Sequence, residues 1–87
     1  MDEINFKKFL EKEQHTEKSI TSRIVKARKG EKILKCTLDN TITDDDKMYN
    51  SLIKLKMHGD SHSNMQNALR KYYLYKKGKE FPKIGNI

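Results

Sequence analysis

The chain has 87 residues, 34% of them hydrophobic and 36% charged, a single cysteine and a formal net charge of +7. That length gives one domain with a lean core, the lone Cys36 excludes an internal disulfide, and no apolar run is long enough for a signal peptide or a membrane span, so the expected setting is the reducing cytoplasm. The positive charge is unevenly placed. Residues 18 to 35 hold Lys18, Arg23, Lys26, Arg28, Lys29, Lys32 and Lys35 against Glu31, and residues 61 to 87 hold Arg70, Lys71, Lys76, Lys77, Lys79 and Lys83 against Glu80.

Taken in order, the first helix follows from Phe6, Phe9 and Leu10 at spacings i, i+3 and i+4, with Asn5 or Asp2 as cap and an end near His15. Thr16 or Ser19 caps a second helix in which Ile20, Ile24, Ala27 and Leu34 recur on one face, while Ser22, Lys26 and Lys29 line the opposite side. On this wheel Glu31 falls on the apolar face beside the helix-weakening Gly30, so either the last turn bends or the register shifts. Lys35 to Thr43 reads as a loop in which Leu38 and Ile42 plug the core. Thr43 is then the expected N-cap of a third helix, with Asp44, Asp45 and Asp46 complementing the dipole of its first turn. Met48, Leu52 and Leu55, with Tyr49 and Ile53, form its buried side, and His58, Gly59, Asp60 and Ser61 break it.

Ser63 is the expected cap of a fourth helix with Met65, Ala68, Leu69 and Tyr72 inward, Lys76 snorkelling at the edge and Gly78 as the stop signal. The expected architecture is a compact all-α bundle of four helices with short loops over residues 1–80, followed by an extended linker or tail over 81–87.

Both basic segments are amphipathic, so folding can merge their polar sides into one cationic surface suited to a phosphate backbone. A solvated lysine-rich face is the ordinary alternative, but here the acids are segregated, with a cluster at Asp44, Asp45 and Asp46. Duplex DNA is therefore the expected partner, and the candidate contacts are Thr21, Ser22, Arg23, Lys26, Lys29, Asn64, Asn67, Arg70, Lys71 and Lys77. Lys and Arg serve phosphates, Thr21, Ser22, Asn64 and Asn67 act as shorter donors, and Asn67 and Arg70 can reach base edges.

Other chemistries fit poorly. His58 and His62 lack the further ligands that zinc requires, and Asp39 to Asn50 has Asp44 where a calcium loop needs Gly and Asn50 where it needs Glu. There is no phosphate loop, nucleophile elbow or His-Glu-x-x-His run, and Cys36 suits core filling. No enzyme, metal or cofactor is expected. The thin apolar face of residues 18 to 35 also argues against membrane association.

The stretch Ser63-Asn64-Met65-Gln66-Asn67-Ala68-Leu69-Arg70-Lys71-Tyr72-Tyr73-Leu74-Tyr75, followed by Gly78 and Pro82, resembles the final helix of the SAM-like N-terminal core-binding domain of tyrosine recombinases and phage integrases. Phe6-Lys7-Lys8-Phe9-Leu10 is similar to that family's first helix, and Ser19-Ile20-Thr21-Ser22-Arg23-Ile24 to the start of its second. The resemblance implies a DNA clamp for integration and recombination that works opposite a separate catalytic domain, which these residues do not contain. Tyr72, Tyr73 and Tyr75 accordingly read as packing aromatics and not as the nucleophile. An isolated domain of this kind is expected to be monomeric. The rival reading is a small phage or mobile-element protein that inhibits or adapts another protein through its basic helical face; RNA binding ranks lower because the sheet and loop modules of RNA readers are missing.

Overall fold

A computed structural model describes residues 1–82, and within them the chain is all-α, with no strand. Helix α1 (Glu3–Lys12) starts where the Asp2 carboxylate accepts the Asn5 N–H at 3.3 Å, so Asp2 is the cap and Asn5 lies inside the first turn. Helix α2 (Glu17–Leu34) is opened by Thr16, whose hydroxyl oxygen accepts from the Ser19 N–H at 3.1 Å. It runs through Gly30 and ends at Lys35, which adopts the left-handed conformation. Gly30 is buried where α2 meets Leu55. Glu31 has its own reason for facing inward: its carboxylate accepts the Leu38 N–H at 2.8 Å and pairs with the Met1 ammonium at 3.1 Å.

The stretch expected as a loop contains one helical turn, α3 (Leu38–Thr41), because the Thr37 hydroxyl accepts from the Asn40 N–H at 3.2 Å. Leu38 and Ile42 do plug the core, joined by Thr41. Helix α4 (Asp45–Met57) is capped by Asp44 and not by Thr43. Asp44 accepts the Asp46 N–H at 2.8 Å, whereas the Thr43 hydroxyl donates to the Asn40 carbonyl and closes α3. Met48, Leu52 and Leu55 are buried, but Tyr49 stays at the surface.

After the break at His58 and Gly59 a tight turn (Ser61–Ser63) leads into α5 (Asn64–Lys77). Ser63 precedes the helix in the left-handed conformation and makes no capping bond. The cap is Asp60, whose two carboxylate oxygens each accept at 2.9 Å, from the Met65 and Gln66 N–H groups. This carboxylate sits further back in the sequence than a cap normally does, which the turn permits by folding it under the helix end. Gly78 closes α5 at φ +72°, its N–H donating to the Leu74 carbonyl at 2.9 Å.

Thus the four expected helices are present, with α3 as an additional single turn. Their common core joins Phe6 and Leu10 of α1, Ile20 and Ala27 of α2, the α4 stripe, and Met65, Ala68, Leu69, Tyr72 and Tyr73 of α5. Phe6 meets Tyr72 edge-on with ring centroids 5.0 Å apart. Full burial of a side chain of this size contributes about 2–3 kcal/mol relative to exposure. Phe81, expected in the tail, is buried as well, edge-on to Tyr73 at 5.2 Å; Lys83 to Ile87 lie outside the described residues.

Candidate nucleic-acid interface

Helices α2 and α5 pair more extensively than any other two helices. Their polar margins therefore meet along one line, since each helix buries only one stripe and leaves its charged residues at the edge. Between them lies a groove of about 280 Å³ lined by Lys18, Ser19, Ser22, Arg23 and Lys26 of α2 and by Asn64 and Asn67 of α5. No carboxylate is among these lining residues.

Arg23 is half-buried, and one of its terminal N–H groups donates to the Asn67 carbonyl at 3.3 Å. Burial lowers its pKa, and nearby Glu13 offsets this only in part. A guanidinium stays protonated through the neutral range and keeps further N–H donors for a ligand. Lys26 is half-buried beside it, while Ser22, Asn64 and Asn67 are exposed. The groove thus joins three cations, of which Arg23 is held by a backbone carbonyl, with short neutral donors. That combination can bind an extended anion through several charge-assisted hydrogen bonds at once.

Of the sequence-derived residues, Ser22, Arg23, Lys26, Asn64 and Asn67 come together here. Thr21 opens instead onto a neighbouring concavity shared with Lys18, and Lys29 continues the α2 stripe one turn beyond Lys26. Lys77 stands exposed in the last turn of α5. Arg70 and Lys71 are engaged elsewhere. The Arg70 guanidinium donates to the Phe81 and Pro82 carbonyls at 3.1 and 3.4 Å and lies 5.7 Å from the Phe81 ring centroid. The Lys71 ammonium bonds Glu13 at 2.9 Å, and this contact, with lesser help from His15, holds the Glu13 carboxyl below its ordinary range. Lys18 and Ser19 line the groove although sequence reasoning did not select them. Lys18 lies four residues before Ser22 and eight before Lys26, so the helical period itself was the signal.

Each of the three clustered tyrosines has its phenol tied to a carboxylate. Tyr72 donates to Asp39 at 2.5 Å, Tyr73 to Asp45 at 3.0 Å and Tyr75 to Asp2 at 3.3 Å. Burial is the first cause raising all three phenol pKa values, and the neighbouring carboxylates act in the same direction. They anchor helices: Tyr72 also accepts the Asp2 N–H at 2.8 Å and so ties the start of α1 to α5.

Among the described residues no three His, Cys, Asp or Glu side chains assemble into a metal-binding group, and no helix is long and apolar enough to cross a membrane. The chain matches no protein-family model, and neither curated proteins nor solved structures give a significant match.

Proposed function

We propose that the α2–α5 face binds duplex DNA, in the manner of the core-binding part of a site-specific recombinase acting in DNA integration, and that the chain itself is non-catalytic. The observation that carries this reading is the groove in which Lys18, Arg23 and Lys26 stand opposite Asn64 and Asn67 with no carboxylate among them. Phosphate contacts supply the affinity, because three cations and several short donors match a charged backbone better than a small neutral ligand. The resemblance of Ser63 to Tyr75, Gly78 and Pro82 to the recombinase pattern adds the recombination context. Arg70 and Lys71 take no part, being engaged with Phe81, Pro82 and Glu13. Across its 25 Å width the domain covers about seven base pairs at 3.4 Å per step.

The test is fluorescence anisotropy with a labelled mixed-sequence duplex across a salt series. If Lys18, Arg23 and Lys26 each neutralise one phosphate, log K falls with log salt at a slope of about −2.7, and Lys26→Ala reduces it to about −1.8. Absence of binding at low salt, or a slope unchanged by Lys26→Ala, overturns the proposal. A protein that co-purifies after nuclease treatment, with no DNA shift, would instead point to the inhibitor or adaptor role.

A further inference from the structure

The face of α2 that meets α1 carries a second concavity, which the DNA reading leaves unused. Ile20, buried, and Ile24, partly buried, line it together with Ile4 of α1 and Val25 of α2. Ile4 is 73% exposed and Val25 48%, so both stand at the rim as open apolar surface. Single exposed aliphatics are ordinary, but two of them bordering one furrow lined by Ile20 and Ile24 form a contiguous patch.

The furrow does not end there. Thr21 is shared with an adjoining hollow that includes Lys18, and Arg28 with another that includes Lys32 and Lys35. It therefore follows α2 along most of its length, about 27 Å for the 18 residues of that helix. Each hollow holds one acid: Glu17 with Lys18, Glu3 with Lys7 and Arg28, and Glu31 with Arg28, Lys32 and Lys35. Lys7, Lys18, Lys32 and Lys35 have no ion-pair partner among the described residues. Of the nearby acids, Glu3 is spent on Arg28, and Glu31 on the Leu38 N–H and the Met1 ammonium. Glu17 is the one left uncommitted.

An apolar centre flanked by the unpaired Lys7, Lys32 and Lys35 selects its occupant. A DNA backbone gives Ile4, Ile24 and Val25 little to bury, and a second copy of a chain with net charge +7 is repelled. We propose that this furrow docks an acidic amphipathic helix of a protein partner, seating one aliphatic anchor between Ile4 and Val25 with carboxylates toward Lys7, Lys32 and Lys35. Lys18 and Ser22 line both the hollow at the start of α2 and the DNA groove, but the anchor site and the Lys7, Lys32 and Lys35 flank share no residue with that groove, so the proposal stands apart from the DNA reading.

The experiment is an amide NMR titration of the full chain with a synthetic peptide of about 18 residues, matched in length to α2 as a helix, carrying Leu one turn apart and Glu on the flanks. A second peptide has Lys in place of Glu. Saturable shifts centred on Ile4, Lys7, Ile24, Val25 and Arg28 are expected with the acidic peptide. Val25→Asp and Ile4→Asp, both at exposed positions, should each weaken binding by about tenfold, the scale of one lost anchor. Lys7→Glu should weaken it as well, and Met57→Asp, on α4, should leave it unchanged. The proposal is overturned by any of four outcomes: no shifts at millimolar peptide, equal binding of the Lys-flanked peptide, furrow shifts that depend on protein concentration alone, or furrow shifts produced by a DNA duplex.

Discussion

Gly30 lies inside α2, buried against α4, where a methyl group would sit 3.9 and 4.0 Å from the two terminal carbons of Leu55. Those are ordinary van der Waals distances, so alanine fits without displacing anything. Glycine in a helix interior costs about 0.5–1 kcal/mol relative to alanine, because the unfolded chain has more freedom to lose. Gly30→Ala should therefore raise the unfolding free energy by about that amount, read as a higher urea midpoint with unchanged slope. A lower midpoint would mean that α2 and α4 need the bare backbone. The neighbouring Glu31 shows what a helical wheel cannot see: it looks misplaced among apolar residues until the Leu38 N–H and the Met1 ammonium are found beside it.

At the scale of elements, the segment after α5 is held as a strap by Arg70. Its two carbonyl contacts and its position over the Phe81 ring keep that ring against Tyr73. Phe81→Ala should cost about 3 kcal/mol, as removal of a buried aromatic does. Arg70→Met keeps an apolar stem but loses the donors, so a loss of about 1–2 kcal/mol is expected in urea denaturation. On the proposed DNA reading, the salt slope should stay as in the parent chain for Arg70→Met. If the slope drops instead, the guanidinium leaves the strap to meet phosphate. Arg70 also marks where sequence reading stopped short. Apolar spacing located all four long helices and most of the core, because each element's period is a local property. Caps depended on which nearby side chain could reach: Asp60 displaced Ser63, and Asp44 displaced Thr43. The groove was half legible for the same reason. Ser22, Lys26, Asn64 and Asn67 follow from helix faces, whereas the recruitment of Lys71 by Glu13 and of Arg70 by Phe81 and Pro82 depends on tertiary packing.

Across the whole molecule, ionic contacts gather at the two ends of α1 and shape the response to pH. The carboxyl pKa of Asp2 is lowered chiefly by the Asn5 side chain, that of Glu3 by Arg28 and that of Glu13 by Lys71. At Asp39 burial pushes upward, but the bonds from Tyr72 and the Met1 ammonium outweigh it and the net shift is downward. A lowered folded pKa means that the unfolded chain binds more protons near pH 4, so this stability is present above the ordinary carboxylate range and lost as pH falls through the folded values. Positive self-repulsion grows in the same direction. The Met1 ammonium has the opposite sign: burial pulls its pKa down, yet Glu31 and Asp39 hold it above the ordinary value, so its contribution is present below about pH 8 and fades as pH rises through the folded pKa. The carboxylates are partly exposed and so partly screened by solvent, and the acid limb should be shallow. A melting temperature nearly flat from about pH 5 to 7.5, falling on either side, is the expected profile. Asp39 serves both limbs, as a depressed carboxylate and as a partner of the ammonium. Asp39→Asn should therefore lower the plateau and flatten the acid and alkaline limbs together in a Tm-against-pH series; a substitution that lowers the plateau while leaving both limbs as steep as before would show that the cluster acts through packing and not through charge.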